Sequence, residues 1–329
     1  MKYLDKVYGE SEINEPVILE LIDSGAFQRL KGISQAGYFT PFSPAGRATV
    51  TRFEHSLGVF LLLKKYGARI EEQIAGLIHD VSHSVFSHCI DYVLAGASGK
   101  EQDHQDNIFA NFVKNSDILP ILEKYNFDLD YILDDKNFPL KETSLPDICA
   151  DRIDYCLRDL IDFLELNQAE VKNIIDSLGV KDNKWVFRDF QSGKYFAELF
   201  SMVNERYYTG QPTATMFITV GDCLKYALNN NYISQDDLYK TDEVVLDKIK
   251  SNLENDEKLN QLFLRMNHKS PFTAKIDSKG QVFCKSRAID PLVFDNGKIK
   301  RVSKIDPEWG ERVKREMKPK QYLVEFIEN

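Results

Sequence analysis

The sequence predicts a mainly all-α protein, a helical core over residues 1–255 followed by a small α+β subdomain over 256–329. Three observations carry this expectation. Helix start and stop residues punctuate the first two thirds of the chain, whereas after about residue 256 short alternating runs surround Ser-Lys-Gly and Asn-Gly turns. At 329 residues, 43% hydrophobic and 12% aromatic, the chain is ample to bury a core and suits one large domain with a smaller appendage.

Taken in order, Pro16 and the run VILELI mark a first helix, and a second is expected from Ser24 to a stop at Gly37. The loop YFTPFSPAGRATV follows. Thr51 and Glu54 then form a capping box for a helix through HSLGVFLLLKKYG, which puts His55 in its first turn. EEQIAGLIHD reads as a third helix with His79 and Asp80 at its end. In SLPD, Ser144 is the expected cap and Pro146 the first turn of a helix DICADRIDYCLRDLIDFL. Its Asp151, Tyr155, Arg158 and Asp159 fall on one face, which suits either a solvent stripe or a wet cavity. Helical patterns continue through YFAELFSMVNERYY, VGDCLKYALNN and SQDDLYKTDEVVLDKIKSNLE. Beyond them, TAKIDSKGQVFCK and GKIKRVS look like hairpins and KQYLVEF like a final strand.

Composition excludes several classes. The longest relevant apolar run, Val59 to Leu63, ends in two lysines and is too short to span a bilayer, and MKYLDKVYGESE lacks the apolar centre of a secretory signal. Five cysteines without a paired framework read as buried thiols in a reducing compartment, so a cytoplasmic protein is expected. A net charge of -9 argues against a general nucleic-acid or anionic-membrane binder. One region departs from that average: Arg265 to Lys320 holds fifteen Lys or Arg against seven Asp or Glu, a basic face or a binding surface.

Three of the six histidines fall within IHDVSHSVFSH, residues 78–88. Adjacent His79 and Asp80, with Cα atoms about 3.8 Å apart, can both reach one cation at roughly 2.0–2.2 Å. A histidine from another helix and a further carboxylate would complete an N2O2 set with open positions, and His55 and Asp151 are the natural candidates. Either the helix breaks after Asp80, letting His83 and His88 fold back over the cation as acid or base groups, or His88 serves elsewhere. Alone, Asp91 reads as a capping or solvated residue, and His104 in KEQDHQDN as an exposed one. Arg206 in NERYY suits a phosphate contact or a local salt bridge.

FQRLKGISQAG, TRFEHSLGV, LIHDVSHSVFSH and DRIDYCLRDL, in that order, resemble the signature blocks of the HD superfamily of metal-dependent phosphohydrolases, in its deoxynucleoside triphosphate triphosphohydrolase branch. The resemblance covers roughly residues 20 to 165. It implies a divalent metal, drawn from Fe, Mn, Mg, Ni or Zn, held by His55, His79, Asp80 and Asp151. It further implies that Arg52 meets substrate phosphate, that His83, His88, Asp91 and His104 surround the scissile group, and that Gln35, Tyr155 and Asp159 contact the sugar. The implied reaction releases triphosphate from a (deoxy)nucleoside triphosphate by metal-activated water attack at the α-phosphorus. A nucleotide substrate and a homo-oligomer are the implied partners, with nucleic acid less favoured and no membrane.

The sequence departs from the family at three places. Ala36 stands where a leucine usually presses on the sugar, Ser82 replaces a usual glycine, and the tyrosine–histidine block is not evident in MVNERYYTGQPTATMF. Two alternatives therefore stay open: a phosphatase or phosphodiesterase for another phosphoester, and a non-catalytic nucleotide or nucleic-acid sensor.

Overall fold

The chain opens with a hairpin of β1 (Lys2–Asp5) and β2 (Gly9–Glu12), in which Lys2 pairs with Glu12. Pro16 starts α1 (Pro16–Asp23), as its pattern requires. A computed structural model describes residues 1–94 and 96–327, so residues 328–329 of the expected C-terminal subdomain lie outside the described residues. The helix expected from Ser24 to Gly37 is instead one short turn, α2 (Gly25–Gln28), continued by a 3-10 turn over Arg29–Gly32. It stops early because Ile33 turns extended: the Arg52 amide donates to the Ile33 carbonyl at 2.9 Å and Gln35 to Val50 at 2.9 Å. A Cβ on Gly32 would sit 2.5 Å from the Thr241 methyl, so the chain needs a glycine at this crossing.

Thr51 and Glu54 make the expected reciprocal cap of α3 (Arg52–Lys65). This helix is buried almost all round, and a helix without a polar face belongs in the middle of a protein. α4 (Ile70–Ile78) packs along it, with Gly76 allowing close approach to Leu63. α5 (His104–Lys114), α6 (Ile118–Lys124) and α7 (Leu129–Leu133) join α1 around one hydrophobic core. On the other side of α3 lies α8 (Ala150–Leu164). Its start differs from the expected SLPD cap. Ser144 and Asp147 close a turn instead, Asp147 pairs outward with Arg301, and Cys149 precedes the first helical residue.

The second, larger core is built on α8 by α9 (Gln168–Ser177), α10 (Phe190–Val203), α11 (Gln211–Asn229), α12 (Asp242–Lys250) and α13 (Glu257–Met266). Two small sheets complete the fold. β3 (Leu178–Lys181) and β4 (Lys184–Phe187) extend, through a parallel β4 pairing, into the hairpin of β7 (Leu292–Asp295) and β8 (Lys298–Arg301). Asn296 and Gly297, both at positive φ, turn that hairpin as their sequence predicts. The hairpin expected in TAKIDSKGQVFCK does not form. β5 (Phe272–Ile276) and β6 (Val282–Cys284) each pair with β9 (Lys320–Phe326), which runs between them. Buried Tyr322 and Val324 hold β9 there, and Gly280 admits its backbone where a Cβ would lie 2.2 Å from Tyr322. α14 (Val302–Ile305) packs on α10 and α15 (Pro307–Glu316) on α14, ahead of β9 in the chain. No helix among the described residues is long and apolar enough to cross a membrane.

Candidate metal centre

Three helix ends meet at one point: the first turn of α3 brings His55, the end of α4 brings His79 and Asp80, and the first turn of α8 brings Asp151. His55 Nε2 lies 3.2 Å from His79 Nε2, 2.9 Å from Asp151 Oδ1 and 3.7 Å from Asp80 Oδ2. His79 Nε2 lies 3.5 Å from Asp80 Oδ1 and 3.4 Å from Asp151 Oδ1. Two donors at right angles around one ion, each about 2.1 Å from it, would sit about 3.0 Å apart, so these spacings suit a shared cation.

The other ring nitrogens are already occupied. His79 Nδ1 donates to the Gly76 carbonyl at 2.8 Å, and His55 Nδ1 to Asp154 Oδ2 at 2.8 Å. Such bonds fix the tautomer and turn the Nε2 lone pair toward a metal. Asp154 in turn accepts Arg158 Nε at 2.7 Å, and Arg158 Nη2 donates to Asp5 Oδ2 at 2.9 Å. The N-terminal hairpin thus anchors a buried relay that ends on His55. Gly58 makes room for it, since a Cβ there would fall 2.0 Å from Arg158 Nη2 and 2.1 Å from Asp154 Oδ1.

The local field favours positive charge. Burial opposes a proton on His55, yet the hydrogen bonds of Asp151 and Asp154 push it up to about 9. Burial also opposes charge on Asp80 and Asp151, but Arg52 for Asp80 and the two histidines for Asp151 hold both well below the usual carboxylate range. Two lone pairs and two carboxylates in such a field fit a divalent ion. His55, His79 and Asp80 offer ligand atoms all within 4.8 Å of one another. A second group, Glu142, Cys149 and Asp151, is already neutralised in part by Arg152, whose guanidinium contacts both Glu142 and Cys149.

The cluster opens into a cavity of about 990 Å³. Gln35, Arg52, His79, Asp80, His83, His88, Asp151, Tyr155 and Asp159 line it; His55 lies beneath, fully buried. Arg52 gives its guanidinium to Asp80 at 2.7 Å, Ser87 Oγ at 3.0 Å and the Gln35 carbonyl at 3.3 Å. The chain leaves the helix after Ile78 and brings the His83 and His88 rings within 5.2 Å of each other. Burial and the Arg52 charge lower His83 to about 3, so its ring is neutral near pH 7. His88 faces Asp91 at 3.1 Å. Asp91 also accepts the His104 amide at 3.1 Å, while the His104 ring reaches Tyr239 and does not line the cavity.

On α8, Asp151, Tyr155 and Asp159 face the cavity, but Arg158 does not share their exposure and is consumed by Asp154 and Asp5. Burial raises Asp159 to about 7, against the Tyr208 hydroxyl that donates to it at 2.6 Å. Arg206 is exposed and outside the lining. Sequence reasoning missed Asp154 and Tyr208. Asp154, one turn after Asp151, was visible as an i,i+3 pair; nothing local marks Tyr208.

Residues 52–159 match the HD domain family. The uncharacterized protein YdhJ of Bacillus subtilis is 37% identical over 80% of this chain and 79% of its own length. The metal-dependent phosphohydrolase cns2 of Cordyceps militaris is 38% identical over 53% of this chain and 49% of its own. The chain belongs to the HD-domain superfamily of phosphohydrolases. As an HD-domain phosphohydrolase it uses a divalent metal cofactor. A deoxynucleoside triphosphate triphosphohydrolase SAMHD1 homolog of Dictyostelium discoideum is 24% identical over 74% of the chain, which spans about half of that relative. The HD-domain fold also appears in a solved phosphohydrolase from Bacteroides thetaiotaomicron, at TM-score 0.72 and 19% identity over 98% of this chain and 99% of that one.

Proposed function

We propose that the protein hydrolyses nucleotides, releasing triphosphate from (deoxy)nucleoside triphosphates, with His55, His79, Asp80 and Asp151 holding its metal. One observation carries the nucleotide reading: beside the ligand cluster, Gln35 Oε1 and Tyr155 Oη are buried without a hydrogen-bond partner among the described residues, and both residues line the cavity. Leaving such groups unpaired costs about 1–3 kcal/mol each, and a turn of either side chain toward the cavity would let the hydroxyls of a sugar satisfy them. Asp159, on the same helix face, supplies a further acceptor. The resemblance of these positions to the sugar-contacting residues of the triphosphohydrolase branch agrees with this use.

A divalent ion bound at the cluster supplies Lewis acidity, lowering the pKa of water and offsetting phosphoryl charge. The chain's own residues divide the rest. Arg52, pinned by Asp80 and Ser87, presents fixed positive charge beside the reacting phosphate. His88, 28% exposed at its side chain and oriented by Asp91, gives a proton to the leaving oxygen in this reading. His83 stays neutral and steadies Asp80 at 3.3 Å. His104 acts through its backbone, fixing Asp91.

Ala36 favours a second reading within the same superfamily. It lines the cavity beside Gln35 with a small side chain, so the pocket also suits a bulkier or ribose-containing phosphoester. The test is a product analysis with manganese, iron or magnesium against ribo- and deoxyribonucleoside mono-, di- and triphosphates. Free nucleoside with intact triphosphate is expected. Orthophosphate release, or turnover of monophosphates alone, would replace the proposal with a nucleotide phosphatase.

A further inference from the structure

The basic excess between Arg265 and Lys320 has no part in the centre described above, yet two of its residues enter the same cavity. Lys285 and Arg287 lie just past β6, in an irregular stretch where buried residues alternate with more exposed ones. The residue between them, Ser286, is buried and turned into the protein. Asn204 clamps this stretch with both ends of its amide: Nδ2 donates to Ser286 Oγ at 3.1 Å, and Oδ1 accepts the Arg287 amide at 3.0 Å. Asn204 is itself buried at the end of α10, so the clamp is part of the helical body.

The cations on the cavity wall fall into two groups. Arg52, Lys141 and Arg152 each contact a carboxylate: Asp80, Asp135 and Glu142. Lys285, Arg287 and Lys136 have no carboxylate within 4.0 Å among the described residues; Lys136 and Lys285 are exposed, Arg287 is half-buried, and only Lys285 and Arg287 belong to the basic C-terminal stretch. Among the described residues the Lys285 side chain donates only to the Glu101 carbonyl at 3.0 Å, and the Arg287 side chain only to the Lys285 carbonyl at 3.4 Å. The Arg287 guanidinium stands 5.8 Å from the Tyr208 ring centre, and Tyr208 in turn bonds Asp159. Lys285, held on the Glu101 carbonyl, stands beside Gln102 on the same cavity wall. The two unpaired charges therefore face one cavity of about 990 Å³, which has room for more than a single phosphate.

We infer that Lys285 and Arg287 form an anion subsite for the charged tail of a substrate that carries more than one phosphate group. The inference rests on the nucleotide reading above. It gives the C-terminal region a role as a wall of the active cavity. The other basic residues of that region turn elsewhere; Arg301, for example, pairs with Asp147 and Arg312 with Glu316.

The test is calorimetric titration of the metal-loaded protein with inorganic tripolyphosphate and, separately, orthophosphate, with free divalent ion in excess of the anion. In the double variant Lys285→Ala/Arg287→Ala, tripolyphosphate should bind at least about 10-fold more weakly, as loss of charge-assisted bonds predicts. Orthophosphate should change by less than about 3-fold. A charge-preserving Lys285→Arg/Arg287→Lys variant should keep most of the tripolyphosphate affinity. Unchanged binding in the alanine variant, an equal loss for both anions, or no tripolyphosphate binding by the wild type would overturn the subsite. If the wild type turns over no nucleotide while tripolyphosphate affinity still follows these two residues, the nucleotide reading falls and the subsite stands.

Discussion

Gly58→Ala sets two effects of opposite sign against each other. In an exposed helix interior, glycine to alanine gains about 1 kcal/mol. In α3 the added methyl would lie 2.0 Å from Arg158 Nη2 and 2.1 Å from Asp154 Oδ1. Contact distance is about 3.5 Å, so one partner must retreat by more than an ångström, which breaks the 2.7 Å Arg158–Asp154 bond or the 2.8 Å His55–Asp154 bond. All three side chains are essentially inaccessible. Parting such a buried pair costs about 3–5 kcal/mol, leaving a net loss of about 2–4 kcal/mol. With an unfolding entropy near 2.1 cal/mol/K per residue, that corresponds to a Tm lower by about 3–6 °C. Because His55 loses its orienting carboxylate, metal affinity should also fall by about 10- to 100-fold. Thermal unfolding and elemental analysis of the purified variant read both. A variant at least as stable as wild type, with full metal content, would refute the relay.

Asp159 gives a pH test. Burial raises its pKa to about 7 from an unfolded value of 3.8, so its contribution to stability is full below pH 4 and is lost as pH rises through 7. Between pH 5 and 8 the wild type should lose about 2–3 kcal/mol that Asp159→Asn does not; parallel urea-unfolding profiles for the two proteins would contradict this. Ala36→Leu should lower turnover of ribonucleotides relative to deoxyribonucleotides roughly 10-fold, by filling space beside the sugar. An unchanged ratio in steady-state assays would remove Ala36 from the sugar site.

The sequence made the metal centre legible because its markers are local. The Thr51–Glu54 cap places His55, and the end of an amphipathic turn places His79 and Asp80, within a few residues each. What stayed hidden depends on distant partners. Arg158 looked like part of the polar face with Tyr155 and Asp159, but Asp154 and Asp5, the latter 153 residues away, hold it in the buried relay. Ser144 and Pro146 carry a helix-start pattern that loses to Arg301, which pulls Asp147 into a turn. The Ser-Lys-Gly segment reads as a hairpin only while β9 is ignored; once Tyr322 and Val324 are buried between its arms, the two strands cannot pair. Lys285 and Arg287 were visible as basic residues, but their entry into the cavity depends on Asn204, which no local pattern connects to them.

The most direct measurement is metal content and hydrolysis in Asp80→Asn, which keeps the side-chain volume and removes one ligand charge. The assignment of His55, His79, Asp80 and Asp151 as the metal site predicts a folded protein that has lost most of its bound metal and its nucleotide hydrolysis together. A variant that retains wild-type metal would place the ion elsewhere and contradict it.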